Sequence, residues 1–183
     1  MLEHGHNHYL VAASFEIALM AGFTGLSLTR GASTMTLAQR KFVVAISAVA
    51  LGSGVWSMHF VAMLGLRLPF EFYYDALTTM ISAFVAILLT GIALLIVHFG
   101  ERTPQRIVLA GACVGIGIAA MHYLGMSGMK IAQPVFSAFG VVISLISSLV
   151  LCIISFWICY GERNARNIYL GTIGFGLAVS MCN

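Results

Sequence analysis

Six apolar runs separated by short polar intervals account for nearly the whole chain. The runs predict helices at about 9–29, 42–66, 76–99, 107–127, 136–160 and 167–183, each close to the 20 or so apolar residues that carry a helix across a bilayer. Between them lie TRGASTMTLAQRK, RLPFEFYYD, GERTPQR, GMKIAQPV and GERNARN, rich in charge, Gly and Pro and too short to be domains.

Composition narrows the class. The chain is 60% hydrophobic and 8% charged over 183 residues, whereas soluble domains are roughly 45–50% apolar and 25% charged. The fold class expected is all-α, a polytopic transmembrane helical bundle, with residues 1–183 as a single domain and no room for a soluble one.

Charge sets the expected orientation. Arg30, Arg40 and Lys41 lie in the first interval, Arg102 and Arg106 in the third, and Arg163 and Arg166 in the fifth, leaving Arg67 and Lys130 for the second and fourth. An excess of basic residues marks cytoplasmic loops, so the odd intervals are expected inside and the N-terminus outside. The net charge of +3 is then a topology signal and argues for no nucleic-acid partner. Met1 to Tyr9 contains no Lys or Arg and is no signal peptide, so the first helix is expected to insert the chain. Cys113, Cys152, Cys159 and Cys182 fall inside predicted helices without CxxC spacing and read as core thiols.

Two stretches align without a gap: GSGVWSMHFVAMLG from Gly52 and GIGIAAMHYLGMSG from Gly115. Both lie in the last turns of helices that start at the inner face, which puts His59 and His122 at similar depth in the outer half of the bilayer. His59 with Met63, and His122 with Met126, are four residues apart, so imidazole and thioether share a helix face, with Met58 and Met121 flanking it. The glycines ahead of them, Gly52 and Gly54 in one helix and Gly111, Gly115 and Gly117 in the other, permit close helix approach. Thioether plus imidazole is a donor set that suits copper, above all Cu(I). Zinc and a haem held between the two histidines are the alternatives. An interhelical hydrogen bond with packing methionines is the bland reading; two aligned copies at one depth favour a shared site.

Other residues enter at the margin. His4, His6 and His8 of EHGHNHYLV lie on the same outer side, and His6 is the best placed to complete a coordination shell. Glu16, two turns into the first helix, is expected to face the bundle interior near the site or to be protonated. Trp56, one turn before His59, is expected to support the site or to pack as an ordinary aromatic. His98 falls at the opposite membrane face and is left out.

HNHYLVAASF, GSGVWSMHFVAM and GIGIAAMHYLGM together resemble the MHYT domain, a bacterial integral-membrane sensor module, over nearly the whole chain. The resemblance implies about seven spans, copper held by the motif Met and His residues near the outer face, and sensing of oxygen, carbon monoxide or nitric oxide. Carried over by position, it points to His6, to Met58, His59 and Met63, and to Met121, His122 and Met126, with His8, Glu16 and Trp56 around them. The Thr of the motif is Val61 in one copy and Leu124 in the other, and its Tyr is Phe60 in the first. The third copy, due in the sixth helix, runs into SMCN at the chain end, so the expectation is a domain short of its seventh helix.

The function expected from these readings is that of a non-enzymatic sensory input domain in the bacterial inner membrane. It would meet the lipid bilayer, a diatomic gas and a cytoplasmic output domain of cyclic-di-GMP or related signalling, and it admits a homodimer. A copper transporter and a haem-binding redox protein are the rivals.

Overall fold

The computed structural model describes residues 8–29, 31–64, 75–101, 103–128, 138–161 and 165–180. Six helices run through them: α1 (His8–Leu28), α2 (Leu37–Leu64), α3 (Ala76–His98), α4 (Pro104–Ser127), α5 (Ala138–Gly161) and α6 (Ala165–Ser180), with a 3-10 turn at Ala32–Thr34. Among the described residues there is no strand, and five segments are long and apolar enough to cross a membrane. The expected helical bundle is therefore present. Each helix packs on the next, and α6 returns to α1, so the bundle closes into a ring.

Two helices begin earlier than their apolar runs. α2 starts at Leu37, not 42, because Thr36 and Gln39 form a reciprocal cap: the Thr36 amide donates to the Gln39 side-chain oxygen at 3.1 Å, and the Gln39 amide donates to Thr36 Oγ1 at 3.4 Å. α4 starts at Pro104, not 107, with Thr103 capping the Arg106 amide and the proline in the first turn, where its missing N–H costs nothing. Asp75 caps α3 in the same way, accepting from the Thr78 amide at 3.0 Å. A polar first turn outside the bilayer is invisible to a search for apolar runs.

The Gly-x-Gly pairs explain the packing. Residues two apart on a helix point roughly 200° from each other, so the two glycines open opposite flanks. On α2, a Cβ at Gly52 would lie 2.5 Å from the Ile87 Cα of α3, while one at Gly54 would strike Ala21 of α1. On α4, Gly115 faces the Leu149 Cα of α5 at 3.0 Å and Gly117 faces the Leu89 Cβ of α3 at 2.9 Å. On α6, Gly174 faces Ser155 of α5 at 2.7 Å and Gly176 faces Leu19 of α1 at 3.1 Å. Each even helix is thus wedged between two odd ones, three times around the ring.

The wedge makes a sharp expectation. Gly52→Ala sets a methyl against backbone that cannot give, and overpacking of this kind costs about 1–3 kcal/mol, more than the gain in helix propensity. Gly161→Ala, where a Cβ meets nothing within 4 Å, is the control. Thermal melting in detergent is expected to show a clear loss for the first and almost none for the second.

Candidate functional site

The even helices carry the repeated motif to the bundle axis. His59 and His122 come from α2 and α4, helices that flank α3 and are not ring neighbours, yet their Nδ1 atoms lie 3.4 Å apart. The ring centroids are 4.8 Å apart at an interplanar angle of 68°. His59 is 2% exposed and His122 is half-buried.

That separation decides what the pair can do. At 3.4 Å the two nitrogens stand at the long end of hydrogen-bonding range. Two nitrogens bound at about 2.0–2.1 Å to one tetrahedral ion stand roughly 3.3 Å apart. The imidazole pair therefore has the bite of a two-nitrogen chelate.

Methionines lie beside both histidines in the sequence of their helices. Met58 and Met121, each 1% exposed, belong to the same buried core cluster. Met63 is buried at 5% exposure, and Met126 is half-buried; both stand one turn beyond their histidines. Among the described residues no group of three or more His, Cys, Asp or Glu comes together. The motif methionines of these helices are thioethers, the soft donor type that suits copper better than zinc.

The supporting residues differ from expectation. Glu16 is exposed on the outer face of α1, which corrects the expectation that it faces the bundle interior. The reason is helical phase: Ser14 and Ala18 are the buried positions, and a residue two away from each points the other way. Trp56 donates from Nε1 to Ser82 Oγ of α3 at 3.2 Å and packs on Phe60 at 4.7 Å, which in turn meets His59 edge-on at 5.4 Å. Its contact with the pair runs through Phe60. His6 lies outside the described residues, as does the side chain of His8.

Gly125 was not singled out by sequence reasoning. A Cβ there would stand 3.1 Å from His59 Nε2, so this glycine of the MHYLGM segment leaves the space that the His59 ring fills. The glycine register also bears on α6. The histidines stand seven residues after Gly52 and Gly115, and seven after Gly174 comes Met181, outside the described residues.

His98 is where the sequence put it, at the other end of the bundle. Its Nδ1 lies 2.8 Å from the Leu94 carbonyl oxygen one turn back on its own helix, and it meets Tyr160 edge-on at 5.4 Å.

A ring of apolar helices, five segments of which are long enough to cross a membrane, with paired Met-His motifs meeting between α2 and α4 defines a multi-pass membrane bundle. The chain belongs to the MHYT family, described as a bacterial signalling protein N-terminal repeat, whose model matches residues 52–111 and 115–172. It is 34% identical over 171 residues to the bifunctional diguanylate cyclase/cyclic di-GMP phosphodiesterase MucR of Pseudomonas aeruginosa, covering 89% of this chain and 24% of that protein. It is 32% identical over 169 residues to the cyclic di-GMP phosphodiesterase NbdA of the same organism, covering 90% and 21%. With the signaling protein YkoW of Bacillus subtilis the identity is 26% over 182 residues, covering 96% and 23%. The chain thus spans about a quarter or less of the length of these curated relatives. No solved structure matches it.

The Trp56–Ser82 bond provides a test of how the pair is supported. Interhelical hydrogen bonds in membranes are worth about 0.6–1.7 kcal/mol. Trp56→Phe and Ser82→Ala are each expected to lower stability by that order, and the double variant by less than their sum. Melting curves of the four proteins of the cycle measure it.

Proposed function

We propose that this chain is the membrane input domain of a cyclic-di-GMP signalling protein, holding copper at the His59–His122 pair and responding to a diatomic gas or to redox state. The single observation that carries the reading is the 3.4 Å separation of the two Nδ1 atoms, one from a buried and one from a half-buried imidazole.

In this reading His59 and His122 supply the two nitrogen donors, and thioethers from Met58, Met121, Met63 or Met126 complete the set. Copper held there would supply a soft centre able to accept a small neutral ligand or to change oxidation state. The protein's own part is to keep both imidazoles facing each other, to exclude bulk water through the packed side chains around them, and to tie the ring positions to α2 and α4. The third even helix, α6, has the same wedge geometry, and His6 remains the proposed additional nitrogen donor from the N-terminal segment.

Orientation belongs to the proposal. Arg40, Lys41 and Arg106 lie at the starts of α2 and α4, the ends opposite the histidines. The positive-inside rule then supports a cytoplasmic basic face, an external N-terminus and a site in the outer leaflet of the inner membrane. MucR and NbdA are named for cyclic di-GMP turnover, and a cytoplasmic output of that kind is the partner we propose here, with the chain itself non-catalytic.

Elemental analysis and an absorption spectrum of protein purified without a His-tag provide the test. Copper near one equivalent is expected in the wild type, with no Soret band. His59→Ala and His122→Ala should each cut the bound metal at least tenfold, while Glu16→Gln, on the outer face, should leave it unchanged. Wild-type metal content in both histidine variants would remove the site.

A further inference from the structure

A second feature lies on the lipid-facing side of the bundle, away from the histidines. Between α2 and α3 runs a groove of about 350 Å³, walled by Val44, Ala48 and Val49 on one helix and Ile87, Gly91 and Leu95 on the other, with Lys41 at one end. The groove opens sideways from the bundle, since Val49 (52%), Leu88 (63%) and Leu95 (47%) are exposed along it.

Among the described residues, its one lining cation is Lys41. Arg40 donates from Nε to the Ala32 carbonyl at 2.8 Å and from a terminal guanidinium nitrogen to the Ser33 carbonyl at 3.0 Å, so its charge is committed to the α1–α2 turn. Lys41, the next residue, is exposed and lines the groove. It stands in the second turn of α2, near the level where the chain leaves the bilayer, and Ala45, one turn further, continues the same face.

The dimensions match a lipid. From Lys41 to Val49 the helix rises roughly 12 Å, close to the half-thickness of about 15 Å that one leaflet contributes to the hydrocarbon core. An apolar channel of that depth with an ammonium at its head is complementary to an acyl chain with an anionic headgroup, and basic positions between helices at the membrane surface are a recognised setting for such lipids.

We propose that the α2–α3 groove is a binding site for an anionic phospholipid, one acyl chain lying along the exposed Ala45, Val49, Leu88 and Ile92 and the headgroup phosphate pairing with the Lys41 ammonium. This site is independent of any metal at the axis.

The experiment uses the full chain, delipidated in a mild detergent and given phosphatidylglycerol or phosphatidylcholine with the same acyl chains. Retained lipid is counted by native mass spectrometry, and melting temperature is read in parallel. The wild type is expected to retain phosphatidylglycerol about fivefold better than phosphatidylcholine, the effect of one basic residue near the membrane surface. Lys41→Gln should abolish the preference and Lys41→Arg should keep it. Ala45→Phe, a substitution at an exposed groove position, should lower retention of both lipids. Unchanged preference in Lys41→Gln overturns the headgroup assignment, and undiminished retention in a folded Ala45→Phe overturns the groove. Should Ala45→Phe fail to fold, the Lys41 pair decides the proposal alone.

Discussion

Close approach of helix backbones at glycine is the constraint on which the rest of this bundle depends. Lipid tails are as apolar as leucine, so helices in a bilayer gain little by hiding hydrophobic surface from their solvent and associate through van der Waals packing and interhelical polar contacts. Gly52, Gly54, Gly115, Gly117, Gly174 and Gly176 each meet a neighbouring helix at a distance that a Cβ would obstruct or crowd. Because each pair faces two flanks, an even helix is held from both sides, and this fixes its rotation as well as its distance. Fixed rotation is what aims a residue seven positions further on at the axis.

The two buried histidines show what that aim accomplishes. His98 engages the carbonyl of Leu94, a partner on its own helix, which is how a core histidine is accommodated in a helix interior. His59 instead faces another imidazole nitrogen, from a helix across the axis. A contact between imidazoles on two different helices depends on the whole fold, whereas the His98 contact depends on one turn of one helix.

Much of this was legible in the sequence, and the exceptions have physical causes. The six helices follow from apolar runs of membrane length, and the pairing of His59 with His122 from two motifs at one depth. The starts of α2 and α4 were missed because Thr36–Gln39 and Thr103–Pro104 are polar caps outside the apolar run. The inward alternative for Glu16 rests on the cost of a carboxylate in lipid, a valid energy but no guide to helical phase; Ser14 and Ala18 carry the phase, and in an apolar helix neither stands out. The role of Gly125 could not be read at all, because it faces a histidine on another helix, and only tertiary structure supplies that partner.

The wedges also determine how the ends of the bundle are linked. α3 is gripped on both sides, by Gly52 of α2 at Ile87 and by Gly117 of α4 at Leu89, and the Cys113 thiol of α4 reaches the Leu89 carbonyl at 3.4 Å. His59 and His122 sit on those same two helices, so a change in the imidazole spacing that moved α2 relative to α4 would shear at least one of the two contacts with α3. Contacts made backbone to backbone, or backbone to Cβ, have no flexible side chain to absorb such a shift, and packed interfaces of this kind move between discrete arrangements rather than deforming smoothly. α3 would then follow one of its neighbours, and its far end carries His98 against Tyr160 of α5. The contacts that bring two imidazoles together at one end of the bundle thus give their separation a mechanical consequence at the other.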